Sequence, residues 1–108
     1  MKEIKYREIY KNGDENIISY NVVGKPVKIL NGLKLIQRDL FTGLQDKHNQ
    51  DIYENDLINY EDKGSLTCDF EEEQVEWDKK HGHFATESTD CVWAEVARLS
   101  EIVGYKLK

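Results

Sequence analysis

The sequence predicts a mainly β fold, a small all-β barrel or roll with at most one short helix near residues 90–99. Three observations carry this. Turn-forming residues recur about every 8–12 positions, the spacing of short consecutive strands. The runs between them are rich in Ile, Val and Tyr, which favour a pleated, half-buried surface. A single segment, residues 89–99, carries apolar residues at helical spacing.

Taken in order, Ile4 to Tyr10 reads as a first strand and Asn12-Gly13-Asp14 as a turn. Ile17 to Val23 is a second strand, ended by Gly24-Lys25-Pro26. Val27 to Leu30 and Leu33 to Gln37 flank Asn31-Gly32. Asn-Gly between apolar runs is a strong hairpin signal, because both residues accept positive φ. Phe41–Ile58 reads as a tight turn that delivers the backbone into a strand beginning at Leu57. Glu61-Asp62-Lys63-Gly64 is a turn. Leu66 to Phe70 and Gln74 to Asp78 are further strands. Lys79-Lys80-His81-Gly82 turns into His83 to Thr86. Thr89 or Asp90 is a candidate cap for a short helix carrying Val92, Trp93, Val96, Ala97 and Leu99, with a buried strand as the alternative. Glu101 to Leu107 closes the chain as a last strand.

A chain of 108 residues suits one domain rather than two. The expected organisation is a single domain over 1–108, with N-terminal strands or an arm over 1–40 and a barrel portion over 41–108. Eleven aromatics supply large buried areas, which argues against a disordered chain. No apolar run approaches the roughly 20 residues needed to cross a bilayer. Nor does an apolar run follow the basic residues of Met1–Arg7, so no secretory signal is expected. A cytoplasmic location, in a bacterial host cell, and reduced thiols at Cys68 and Cys91 are the corresponding expectations.

The net charge of −6 is unevenly spread. Residues 51–78 hold eleven acidic side chains and one basic one, Lys63. Ile52, Tyr53, Leu57, Ile58, Phe70, Val75 and Trp77 are threaded through the same block, so it reads as strands with an acidic outer face. Such a face is either a solvated surface or a docking surface for a basic partner. It argues against direct nucleic-acid binding, which needs Lys and Arg against phosphates.

The stretch Phe41-Thr42-Gly43-Leu44-Gln45-Asp46-Lys47-His48-Asn49-Gln50-Asp51-Ile52-Tyr53-Glu54-Asn55-Asp56-Leu57-Ile58 resembles the central phrase of the YopX family, small proteins encoded by bacterial phages and prophages. Phe41, Thr42, Gly43, Leu44, Asp46, Lys47, Ile52, Tyr53, Glu54 and Asp56 match it. Met1–Arg7 is similar to the family's opening, and Glu101-Ile102-Val103-Gly104 to its closing strand. The resemblance implies an SH3-like barrel or roll. It carries no established enzymatic activity to transfer and so brings no catalytic residues with it; no cofactor is expected. Asn49 and Asn55 stand where the family has Gly. Asn is the residue that best tolerates a left-handed backbone after Gly, so both positions read as serving chain geometry rather than ligand approach.

His81-Gly82-His83 places two imidazoles on one face of an extended strand. Cys68 and Cys91 are conceivable further ligands, but the spacing fits no zinc pattern and Lys79-Lys80 oppose a cation. No metal site is expected. A Cys91–His83 nucleophile pair lacks an orienting group and an oxyanion motif. Tyr53 and Trp77 are candidates for a peptide groove of the kind that SH3 domains present, with core packing as the competing reading for both. The expected function is therefore a non-enzymatic accessory module that binds a host or phage protein. Its candidate partner surface is Asp69, Glu71, Glu72, Glu73 and Glu76 with Tyr53 and Trp77, and homo-oligomerisation through open strand edges is compatible. The alternatives are a DNA-mimicking inhibitor of a host nucleic-acid enzyme and, more remotely, a metal-dependent or hydrolytic enzyme.

Overall fold

The computed structural model describes residues 4–24, 32–61, 70–87 and 94–107. The expected Asn31-Gly32 hairpin arm at 27–30, the strand residues 66–69, both cysteines, Trp93 and the helix caps at 89–90 lie outside them. The described chain is mainly β, with one short helix. It divides into two compact units, Met1–Phe41 and Thr42–Leu107.

In the first unit, β1 (Lys5–Asn12) and β2 (Glu15–Val22) form an antiparallel hairpin. Asn12 faces Glu15, so Gly13-Asp14 is a two-residue loop, and Gly13 supplies the positive φ of 62° that such loops need. The other edge of β1 pairs antiparallel with β3 (Lys34–Gln45), which runs on into the second unit. An ion-pair network holds this sheet. Arg7 Nε donates to Asp39 Oδ2 at 2.7 Å, with both side chains buried. Gln37 Nε2 donates to the same carboxylate at 3.0 Å. One residue further along, Glu8 accepts from Arg38 at 2.7 Å and from the Tyr10 hydroxyl at 3.1 Å. Paired, hydrogen-bonded charges of this kind are what make ionised groups tolerable away from water.

Strand β3 extends through Phe41–Gln45, so the expected tight turn begins later than the sequence indicates. Gly43 bends the strand at a φ of 86°, and the Thr42 hydroxyl donates to the Ile52 carbonyl at 2.7 Å. This keeps the chain extended up to Asp46. Next to β3 lies β4 (Asp51–Tyr53). Then β5 (Asp56–Tyr60) forms the centre of a three-stranded antiparallel sheet, between β6 (Phe70–Gln74) and β9 (Ser100–Tyr105). A two-stranded hairpin joins β7 (Glu76–Asp78) to β8 (His83–Ala85). The expected single strand from Gln74 to Asp78 is broken at Val75. There the Val75 amide donates to the Asp56 carbonyl and its own carbonyl accepts from Asn55, both instead of continuing the ladder.

Helix α1 (Ala94–Arg98) falls inside the predicted segment. It is short, and its buried residues Val96 and Ala97 join the core of the second unit. Ile52, Ile58, Phe70 and Val75 complete that core, with Leu44, Tyr60, Phe84 and Ile102 packed against it. Tyr60 and Phe70 stack at 5.3 Å. Each fully buried aliphatic side chain contributes about 1.5–3 kcal/mol.

Candidate functional site

The matched residues of Phe41–Ile58 act chiefly as a structural frame. Asp46 is buried, and its Oδ1 accepts the amides of His48 and Gln50 at 2.9 and 3.0 Å. Its Oδ2 accepts the Ile102 amide at 3.1 Å, which ties the turn to β9. Lys47 is exposed and lies 3.5 Å from Glu101. Asp56 is buried, and its Oδ2 accepts the Tyr53 amide across the 54–55 turn at 2.8 Å. Asn49 and Asn55 adopt φ values of 61° and 70°, the left-handed geometry their positions imply. Phe41 lies under the Lys5 ammonium at 5.0 Å. Ile52 is fully buried, and Glu54 is half-buried in the turn.

Tyr53 requires a correction. It is only 4% exposed, because both it and Ile52 turn into buried surroundings at the short strand β4. It is not available as a partner surface. Trp77 is 44% exposed, with its ring edge-to-face against Phe84 at 4.9 Å.

The acidic candidates converge. A groove of about 710 Å³ in the second unit is lined by Glu71, Glu72, Glu73, Glu76, Asp78 and Glu87 around Leu57 and Trp77, with Lys106 among the lining residues. Asp69 lies outside the described residues. A bulge explains how three consecutive glutamates reach the same groove. Ile58 pairs with Glu73 and Tyr60 with Phe70, so Glu71 and Glu72 both oppose the single residue Asn59. Glu72 sits at a φ of 50°, and its amide donates to Asn59 Oδ1 at 2.8 Å. Alternation along a regular strand would have sent neighbouring side chains to opposite faces; here Glu71 and Glu72 are both exposed. Of the groove's lining residues, Thr86 has a buried hydroxyl oxygen with no hydrogen-bond partner among the described residues.

The β7–β8 hairpin gathers Asp78, which also lines the groove, with His81 and His83, one donor atom from each within 4.8 Å of the others. The two imidazoles stack at 5.6 Å. His81 Nδ1 lies 2.7 Å from Asp78 Oδ2. That hydrogen bond, reinforced by the amides of His81 and Lys80, holds the Asp78 carboxyl below its usual value. The sequence offers Cys68 and Cys91 only as conceivable further ligands, and both lie outside the described residues; among the described residues the third donor beside the two histidines is Asp78. Among the described residues no helix is long and apolar enough to cross a membrane.

A framing turn, a mainly β scaffold and an acidic groove define a small β protein whose recognisable residues are architectural. The family model described as YopX protein matches residues 2–104, and the chain belongs to the YopX family. A search of curated proteins gives no match.

Proposed function

We propose that this protein is a non-enzymatic binding module of phage or prophage origin, acting in the cytoplasm of a bacterial host. Its acidic groove receives a Lys/Arg-rich segment of a host or phage protein. The observation that carries this reading is the convergence of six carboxylates around an exposed aromatic, Trp77, in one groove. A carboxylate-lined cleft focuses its field and raises the local concentration of cationic groups. The exposed Trp77 ring adds cation–π contact for Arg and Lys. Strand β6 is one of the two outer strands of its three-stranded sheet among the described residues, which suits an extended peptide laid along it.

Fluorescence anisotropy with labelled Lys/Arg-rich peptides tests the reading. Binding is expected to weaken as salt shortens the Debye length. It is expected to fall at least about tenfold in the variant E71Q/E72Q/E73Q/E76Q and in Trp77→Ala. Salt-independent binding, or equal affinity in the neutralised variant, overturns it.

A further inference from the structure

We propose that Asp78, His81 and His83 form a site for a divalent transition metal, with zinc as its first choice. Two imidazoles and one carboxylate are a donor set suited to zinc, with a remaining position for water. Asp78 and His83 are cross-strand partners at the end of the β7–β8 ladder, and the four-residue loop returns His81 to the same side. The donor atoms already lie within 4.8 Å of one another. Tetrahedral bonds of about 2.0–2.1 Å place donors roughly 3.4 Å apart, so the 2.7 Å Asp78–His81 contact opens and wider separations close, both within reach of side-chain torsions.

Each ligand is oriented before a cation arrives. Asp78 Oδ1 accepts the Lys80 and His81 amides at 3.0 and 3.3 Å, which fixes the carboxylate while Oδ2 faces His81. The cation takes the place of the proton shared between Oδ2 and His81 Nδ1. His83 Nδ1 lies 3.3 Å from the Phe84 carbonyl. A proton donated there leaves the Nε2 lone pair as the ligand, the arrangement by which outer partners set the tautomer of metal-bound histidines. The charge balance around the loop is mixed. Lys79 and Lys80 oppose a cation, but both are exposed and screened by solvent. Asp78 also borders the groove that holds Glu76 and the other glutamates, whose field favours cation approach. The site shares Asp78 with the groove, but all three ligands come from the β7–β8 hairpin, so it does not depend on the peptide-binding reading.

Isothermal titration of the full chain with zinc, paired with cobalt(II) absorption spectra, is the test. Wild type is expected to take up one equivalent. His81→Gln and His83→Gln are each expected to weaken binding by at least about tenfold, since losing even an outer-shell partner of a metal site costs that much. Asp78→Asn keeps an acceptor for the loop amides and isolates the loss of the charged ligand; it is expected to weaken binding as well. Far-UV circular dichroism establishes that each variant is folded. The absence of a saturable equivalent overturns the proposal. So does unchanged affinity in the histidine variants, or a thiolate-to-cobalt charge-transfer band, which would place the metal on cysteine.

Discussion

Asn49 and Asn55 look equivalent in sequence, and the structure separates them. Both hold the left-handed backbone. Asn49 is exposed, whereas Asn55 is fully buried. The Asn55 side chain accepts from Gln74 Nε2 at 2.7 Å, its amide donates to the Val75 carbonyl, and its carbonyl accepts from Lys106. Asn49→Gly should therefore leave stability unchanged or raise it by up to about 1 kcal/mol, because Gly carries no left-handed penalty. Asn55→Gly should lower it by about 1–3 kcal/mol, since it leaves the Gln74 amide without that acceptor and opens space beneath it. Urea denaturation of the two variants checks the contrast. The positive φ at both positions was legible from residue type; the second role of Asn55 was not, because Gln74 is nineteen positions away. Tyr10 gives a pH-dependent counterpart. Burial first, and then its hydrogen bond to the Glu8 carboxylate, push its hydroxyl above the ordinary value of 10.0. The folded state thus favours the neutral phenol. That contribution is fully present below pH 10 and is lost as pH rises through the raised value. Tyr10→Phe should flatten the decline in thermal stability above that pH, and an unchanged decline would assign it to other groups.

At the scale of elements, the first two strands and the short helix were legible because their signals are local. Branched residues in Ile17–Val23 mark β2, and the spacing of Val96, Ala97 and Leu99 marks α1. Strand β3 is longer than the sequence indicates, since Gly43, a residue that ordinarily marks a turn, bends the strand at positive φ without ending it. The buried Arg7–Asp39 pair was also missed; charged residues in a strand ordinarily read as its solvent face. The bulge in β6 had a faint signal in three successive glutamates, but only the pairing register reveals it. Its cost sits on Glu72, a residue with a β-carbon in the left-handed region. Glu72→Gly should hold or raise stability by up to about 1 kcal/mol, whereas Glu72→Val should lower it by at least about 1 kcal/mol, since β-branching resists positive φ. If both variants match wild type in chemical denaturation, the bulge is not where strain is stored.

Over the whole chain, charge is the quantity that connects sequence to groove. The acidic excess of residues 51–78 is plain in the sequence, yet the groove is not simply that block. Glu87 joins it from beyond, carried in because Ala85 pairs with Glu76. Asp51, Glu54 and Asp56 belong to the block but not to the groove lining, and Asp56 is consumed by the Tyr53 amide. Pairing across strands therefore concentrates the charge further than composition does. Like charges held within a Debye length, about 10 Å at 0.1 M salt, raise one another's energy. A groove assembled this way should oppose folding slightly at low ionic strength. The variant E71Q/E72Q/E73Q/E76Q should accordingly be more stable than wild type in low salt, by roughly 0.3–1 kcal/mol. The difference should shrink as salt is added, because screening removes from wild type the repulsion that mutation has already removed from the variant. Denaturant midpoints across a salt series measure both. A variant less stable than wild type at every ionic strength would mean that the glutamates contribute favourable contacts rather than a concentrated field. A salt-insensitive wild type would mean that the carboxylates are too well solvated to act on one another, or on a basic partner at a distance.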